Sequence, residues 1–162
     1  MIITGSVSQD DKAQIRTILE TSGFFYPFEV GVVMELIDET TKSDEQNSGY
    51  YWFKIVENEK ILGFACFGPN PCSVHSWDLY WLVVGRSMKN KGMGTVLLQH
   101  AEEKAKALGG VMFWIETSGR PLYEPTVAFY LKKGYTLEAT LRNFYGPGDP
   151  KLIFCKNLYV TG

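Results

Sequence analysis

The chain has 162 residues, 45% hydrophobic and 14% aromatic, with a formal charge of −2. That length and apolar content exclude a disordered chain and suit a single domain over residues 1–162 with its own core. The faintly acidic balance, without a broad basic face, argues against nucleic acid as a partner, and no apolar run reaches the roughly 20 residues of a membrane span. Residues 2–6 read as a short edge strand. Ser8 and Asp11 are placed to cap a helix whose apolar stripe, Ile15, Ile18 and Leu19, ends at Gly23. The aromatic cluster Phe24, Phe25, Tyr26 and Phe28 leads into a second helix, with Val30, Val33, Met34 and Ile37 at helical spacing. The polar stretch 41–49 reads as a loop. Runs 50–56 and 61–68 flank a charged turn over 57–60, the pattern of a β-hairpin. After loop 69–76 come a strand over 78–84, a glycine loop, and a helix from Thr95 to about Leu108, stopped by Gly109-Gly110. Residues 111–117 are mostly apolar, as an interior strand is. A short helix over about 125–133 closes at Gly134, and strands over 135–141 and 151–160 flank the turn-rich segment 145–150. The pattern predicts an α/β (mixed α+β) fold: one mixed sheet with helices on both faces.

Chemistry concentrates in Lys89-Asn90-Lys91-Gly92-Met93-Gly94-Thr95, between a strand and an amphipathic helix. The first amides of a helix have no partner within it and carry the positive end of its dipole, so they receive phosphate well. Gly92 and Gly94 let a ligand approach the backbone, and Lys89 and Lys91 add full charges. A dinucleotide fingerprint would need a third glycine where Leu97 stands, and a Walker A loop would end in Gly-Lys-Ser/Thr. An ordinary strand-to-helix turn explains a lone Gly-x-Gly equally well. Cys66, Cys72 and Cys155 are odd in number and scattered, which reads as reduced thiols in a cytoplasmic protein. Cys72 and His75 have no second pair at metal-ligand spacing, so no metal is expected.

In this order of elements, Lys89-Asn90-Lys91-Gly92-Met93-Gly94 resembles the Arg/Gln-x-x-Gly-x-Gly/Ala signature of the GNAT superfamily of N-acetyltransferases. Phe129-Tyr130-Leu131-Lys132-Lys133-Gly134-Tyr135 resembles the family's Phe-Tyr-x-x-x-Gly-Phe/Tyr helix end, and the resemblance covers nearly the whole chain. Three departures stand out. Lys89 replaces the usual Arg or Gln, Asn90 stands where many members have glycine, and Tyr123 takes the place of an asparagine that often contacts the pantetheine arm.

The resemblance implies a mostly antiparallel, twisted sheet of about seven strands whose central pair is splayed, with a bulge near Leu82, Val83 and Val84. It implies acetyl-CoA as donor: diphosphate on the amides from Lys89 to Thr95, and pantetheine along the backbone of Leu82, Val83 and Val84 and against Tyr123. Tyr130 matches the position of the general acid that protonates the CoA sulfur, though an aromatic at helical spacing also reads as core. For the base, Glu116 at the end of its strand and Asp78 at the start of another are candidates; a half-buried carboxylate there would have a raised pKa. Either one also reads as an ordinary strand-end residue. An acceptor pocket is expected from Phe24, Tyr26 and Glu29 on one wall and Tyr80 and Tyr145 on the other, suited to a small cation. Phe25 and Phe28 read as packing between helices. The implied activity is acetyl transfer to a primary amine of a small molecule or peptide by direct attack. A non-catalytic acyl-CoA sensor is the alternative, and exposed edge strands permit a homodimer.

Overall fold

The computed structural model describes residues 1–160. Seven strands form one sheet: β1 (Ile2–Gly5), β2 (Tyr51–Glu57), β3 (Lys60–Pro69), β4 (Ser76–Val84), β5 (Met112–Ser118), β6 (Thr136–Gly146) and β7 (Asp149–Asn157). Their spatial order is β1-β2-β3-β4-β5-β7-β6, and every neighbouring pair is antiparallel except β4–β5. The helices are α1 (Lys12–Ser22), α2 (Pro27–Lys42), α3 (Glu45–Ser48), α4 (Met93–Ala107) and α5 (Glu124–Lys132). Among the described residues, no helix is long and apolar enough to cross a membrane.

Local chemistry accounts for the boundaries. Asp11 accepts from both the backbone N–H and the hydroxyl of Ser8, at 2.8 and 3.1 Å, and holds a 3-10 turn on which α1 is built. Gly23 ends α1 at φ 80°, and the Tyr26 N–H donates to Glu29 at the start of α2. The stretch read as a polar loop contains α3, because Asp44 accepts the Asn47 N–H at 2.7 Å and Gly49 closes the turn at φ 78°. Helix α4 starts two residues before Thr95, since Met93 is drawn into the core. Strand β6 runs to Gly146, five residues past expectation, with register shifts and a left-handed Asn143 that bend its outer half.

The core lies in two layers. Leu97, Leu98, Ala101 and Ala105 of α4, with Tyr130 of α5, pack on Phe67, Trp77, Leu79, Phe113, Ile115 and Phe154. On the other face Ile15, Leu19, Val33 and Ile37 of α1 and α2 pack on Trp52, Phe64, Cys66 and Val83. Burial of these side chains at about 25 cal/mol per Å² is the main force holding sheet and helices together.

One irregularity of the sheet lies between the two layers. Strands β4 and β5 pair from Ser76↔Met112 only as far as Leu79↔Ile115. Beyond that point β4 stays bonded to β3, and β5 to β7, so the sheet parts at Tyr80 and Glu116. The bulge lies at Tyr80, not at Leu82, Val83 and Val84: Cys66 opposes Trp81 while Phe67 opposes Leu79, leaving Tyr80 as the extra residue. It reverses the side-chain alternation, sending Trp81 and Val83 toward α1 and α2 and Leu82 and Val84 toward α4.

Candidate active site

Strand β4 ends in a 3-10 turn, Arg86–Met88, and the chain then runs through exposed Lys89, Asn90, Lys91 and Gly92 into α4. Asn90 holds φ 63° and Gly92 φ 79°, so both take left-handed geometry; asparagine tolerates this better than most residues. No side chain caps α4, and its first backbone bond runs from Val96 N–H to the Gly92 carbonyl. The amides of Met93, Gly94 and Thr95 therefore have no acceptor one turn back in the helix. Lys89 places its ammonium 4.3 Å from the Phe24 ring centroid; burial, then the charge of Arg86, holds its pKa below the usual lysine value.

These residues fit a coenzyme A diphosphate: a helix N-terminus with free amides, two lysines and no acidic residue in the loop. The free side of β4 fits the arm, because alternate backbone groups of Leu82, Val83 and Val84 face the opening instead of β5.

Across the opening, the α1–α2 turn meets the segment after β5. The Tyr123 hydroxyl donates to the Phe24 carbonyl at 3.1 Å, and the two rings meet edge-on at 5.3 Å. Arg120 Nη1 donates to the Tyr26 hydroxyl at 3.0 Å, with its guanidinium between the Tyr26 and Tyr123 rings and Asp149 3.9 Å from Nε. Ser118 donates to the other oxygen of Asp149. Burial, then the negative groups Glu116 and Asp149 and the neighbours Tyr123 and Glu29, push the Tyr145 phenol up to about 12. The Tyr145 ring itself meets Phe144 edge-on at 5.1 Å.

Of the two candidate carboxylates, Glu116 is exposed, not half-buried, and Lys151 of β7 bridges it at 2.6 Å. Asp78 is half-buried and accepts from Asn70 Nδ2 at 2.9 Å. Burial raises its pKa, the Asn70 bond opposes that, and the charge of Glu116 adds to it; the net shift is upward. Asp78 lies opposite Trp114 one register step before the sheet parts, and Tyr80 stacks edge-on with Tyr50 at 5.5 Å. Tyr130 is 6% exposed among Phe129, Tyr135 and Phe154, and burial alone raises its phenol, which keeps it protonated at neutral pH.

The expected residues lie on both faces of the parted sheet: Tyr80 faces α1 and α2, whereas Tyr130 packs in the layer beneath α4. Phe25 packs as anticipated, on Trp81 at 5.3 Å, but Phe28 does not: it is 70% exposed and stacks on Tyr26. Arg120, Lys151, Asp149 and Asn70 were not singled out from the sequence. Each sits in a turn-rich segment or on a strand whose face periodicity cannot assign. A lone arginine after Gly119 was the only available signal. Among the described residues, no cluster of three or more metal-ligating side chains occurs, and Cys66 and Cys155 are buried while Cys72 is exposed.

A family model described as "Acetyltransferase (GNAT) family" matches residues 15–135, three quarters of the chain. The chain belongs to that family. A solved structure of a GNAT-family protein from Desulfovibrio desulfuricans is 34% identical, covering 97% of this chain and 98% of that one, with TM-score 0.93. An aminoglycoside 6′-N-acetyltransferase complexed with coenzyme A shares the fold at 23% identity, covering 100% and 99%, with TM-score 0.80. So does the ribosomal-protein-S18-alanine N-acetyltransferase of Escherichia coli, at 18%, covering 99% and 97%, with TM-score 0.74. No curated protein matches the sequence significantly.

Proposed function

We propose that this chain is an acetyl-CoA-dependent N-acetyltransferase that acetylates a primary amine of a small molecule or peptide by direct attack in a ternary complex. One observation carries the proposal: the β4–β5 pair parts at Tyr80 and Glu116, beside an uncapped, lysine-flanked helix N-terminus. Bound acetyl-CoA supplies a thioester whose C–S bond breaks as the new N–C bond forms. The amides from Lys89 to Thr95, with Lys89 and Lys91, hold its diphosphate. The backbone of Leu82, Val83 and Val84 orients its arm, with Tyr123 at the edge. Tyr130 donates a proton to the departing sulfur, and a carboxylate, Glu116 or Asp78, takes one from the acceptor ammonium. Phe24, Tyr26, Glu29, Tyr80 and Tyr145 line the acceptor side, offering rings and a carboxylate to a cation.

The test is thiol release from acetyl-CoA across a panel of amino acids, polyamines, aminoglycosides and peptides. Turnover with an amine, lost in Tyr130→Phe while CoA still binds, supports the enzyme. CoA binding without release for any amine supports the sensor alternative instead.

A further inference from the structure

Asn70, in the β3–β4 loop, is held from three directions. Its backbone N–H donates to the Ser76 carbonyl at 2.9 Å, its Oδ1 accepts the Cys72 N–H at 2.9 Å, and its Nδ2 donates to Asp78 Oδ2 at 2.9 Å. The Cys72 contact decides which way round the amide sits. Only an oxygen accepts that N–H, so the –NH2 faces the carboxylate. Asp78 is thus pinned through one oxygen; among the described residues, no hydrogen bond engages its other oxygen, on a strand that leaves its neighbour one residue further on.

Glu116 is placed differently. It lies on β5 two residues past Trp114, the register partner of Asp78, so both carboxylates project from the same face. Its Oε2 is occupied by Lys151, whose side chain is only 13% exposed. Removing that proton acceptor from its cation would leave a mostly buried charge unpaired.

We propose that Asp78 takes the proton from the acceptor ammonium, that Asn70 is the residue that positions it, and that Glu116 and Lys151 form a fixed ion pair beside it. The proposal rests on the N-acetyltransferase reading above. In balance, the ammonium gives one proton to Asp78, which passes it to solvent. The freed nitrogen lone pair forms the N–C bond, the C–S pair leaves on sulfur, Tyr130 protonates that sulfur, and the surplus N–H proton returns to Tyr130. One proton is released per acetyl transferred.

The groups facing Asp78 are few. Glu116 comes from β5 with Lys151 of β7 on it; Tyr80 comes from β4 itself, with Tyr50 and Cys66 against it. Two of these influences oppose each other. The Asn70 hydrogen bond favours the ionised carboxylate, whereas the negative charge of Glu116 disfavours it.

The experiment is the pH dependence of kcat/KM with one amine from the panel, compared between wild type and variants so that the amine's own titration cancels. Asn70→Ala should move the acid limb to higher pH, and Glu116→Gln should move it to lower pH. A merely structural role would not give displacements of opposite sign. Asp78→Asn should cut kcat about 10²- to 10⁴-fold with CoA affinity intact. Carbon-13 NMR titration of the Asp78 carboxyl, in wild type and Asn70→Ala, should show the same upward movement without any acceptor. Wild-type turnover with superposable profiles, or an Asp78→Asn kcat within threefold of wild type, overturns this inference alone. No wild-type turnover with any amine overturns the functional reading, and this inference with it.

Discussion

Replacing Tyr130 by phenylalanine removes one oxygen from a side chain otherwise packed among Phe129, Tyr135 and Phe154. Among the described residues no hydrogen bond engages that hydroxyl, and burial raises its pKa. The folded state should therefore change by no more than about 1 kcal/mol. The chemical step should suffer far more. A positioned general acid contributes about 10²–10⁴ in rate, which at 1.36 kcal/mol per decade is roughly 2.7–5.4 kcal/mol of barrier. Tyr130→Ala separates the two effects, because deleting the ring from this core should cost about 3–5 kcal/mol of stability. Thiol release gives kcat, calorimetry gives the CoA affinity, and thermal unfolding gives stability. The expected pattern for Tyr130→Phe is a Tm near wild type, an unchanged CoA Kd and kcat down at least a hundredfold. A kcat within threefold of wild type would refute the acid assignment and leave Tyr130 a core residue.

Other outcomes follow from single contacts. Asp11 and Lys54 form an ion pair with side chains 12% and 17% exposed. Burial pushes the Asp11 carboxyl up, but the hydrogen bonds of Lys54 and Ser8 and the lysine charge outweigh it, so its pKa is lowered. The stability this gives is present above the unfolded value and lost as pH falls through the folded one. Asp11→Asn should thus cost about 3 kcal/mol at pH 7 in urea unfolding, with the gap from wild type shrinking in acid. A Cβ at Gly68 would overlap the Gly49 carbonyl oxygen, backbone that cannot step aside cheaply. Gly68→Ala should lose about 3 kcal/mol or more, whereas Gly31→Ala, with nothing within 4 Å of the added carbon, should not destabilise, as circular-dichroism melts will show. Lys89→Met should weaken CoA binding by about 1 kcal/mol at low salt, and the difference should fade near 1 M salt.

Much of the fold was legible because the two periodicities are clean. Ile15, Ile18 and Leu19 in α1 and Val30, Val33, Met34 and Ile37 in α2 are all buried where helical spacing puts them. Residues whose place depends on backbone irregularity were not legible. Tyr80 reads as one more residue of an apolar strand, and only the register against Cys66 and Phe67 makes it the bulge. Helix α3 is set by one capping aspartate within a polar stretch, which composition alone assigns to a loop. At the site, the glycine loop announced itself through charge and spacing. Asn70 could not: its meaning lies in the Cys72 N–H that turns its amide toward Asp78. Glu116 was visible as a strand-end carboxylate, but Lys151, which claims it, is 35 positions away in sequence (151 − 116) and adjacent only across the β5–β7 ladder.

Titration calorimetry of coenzyme A into the protein, at low and at high salt, bears most directly on the central claim that the parted strands and the α4 N-terminus form a thioester-donor site. Binding with a Kd below about 100 μM, near −5.5 kcal/mol, weakening as salt rises, is the predicted result. No measurable heat at high micromolar coenzyme A in either salt would contradict it.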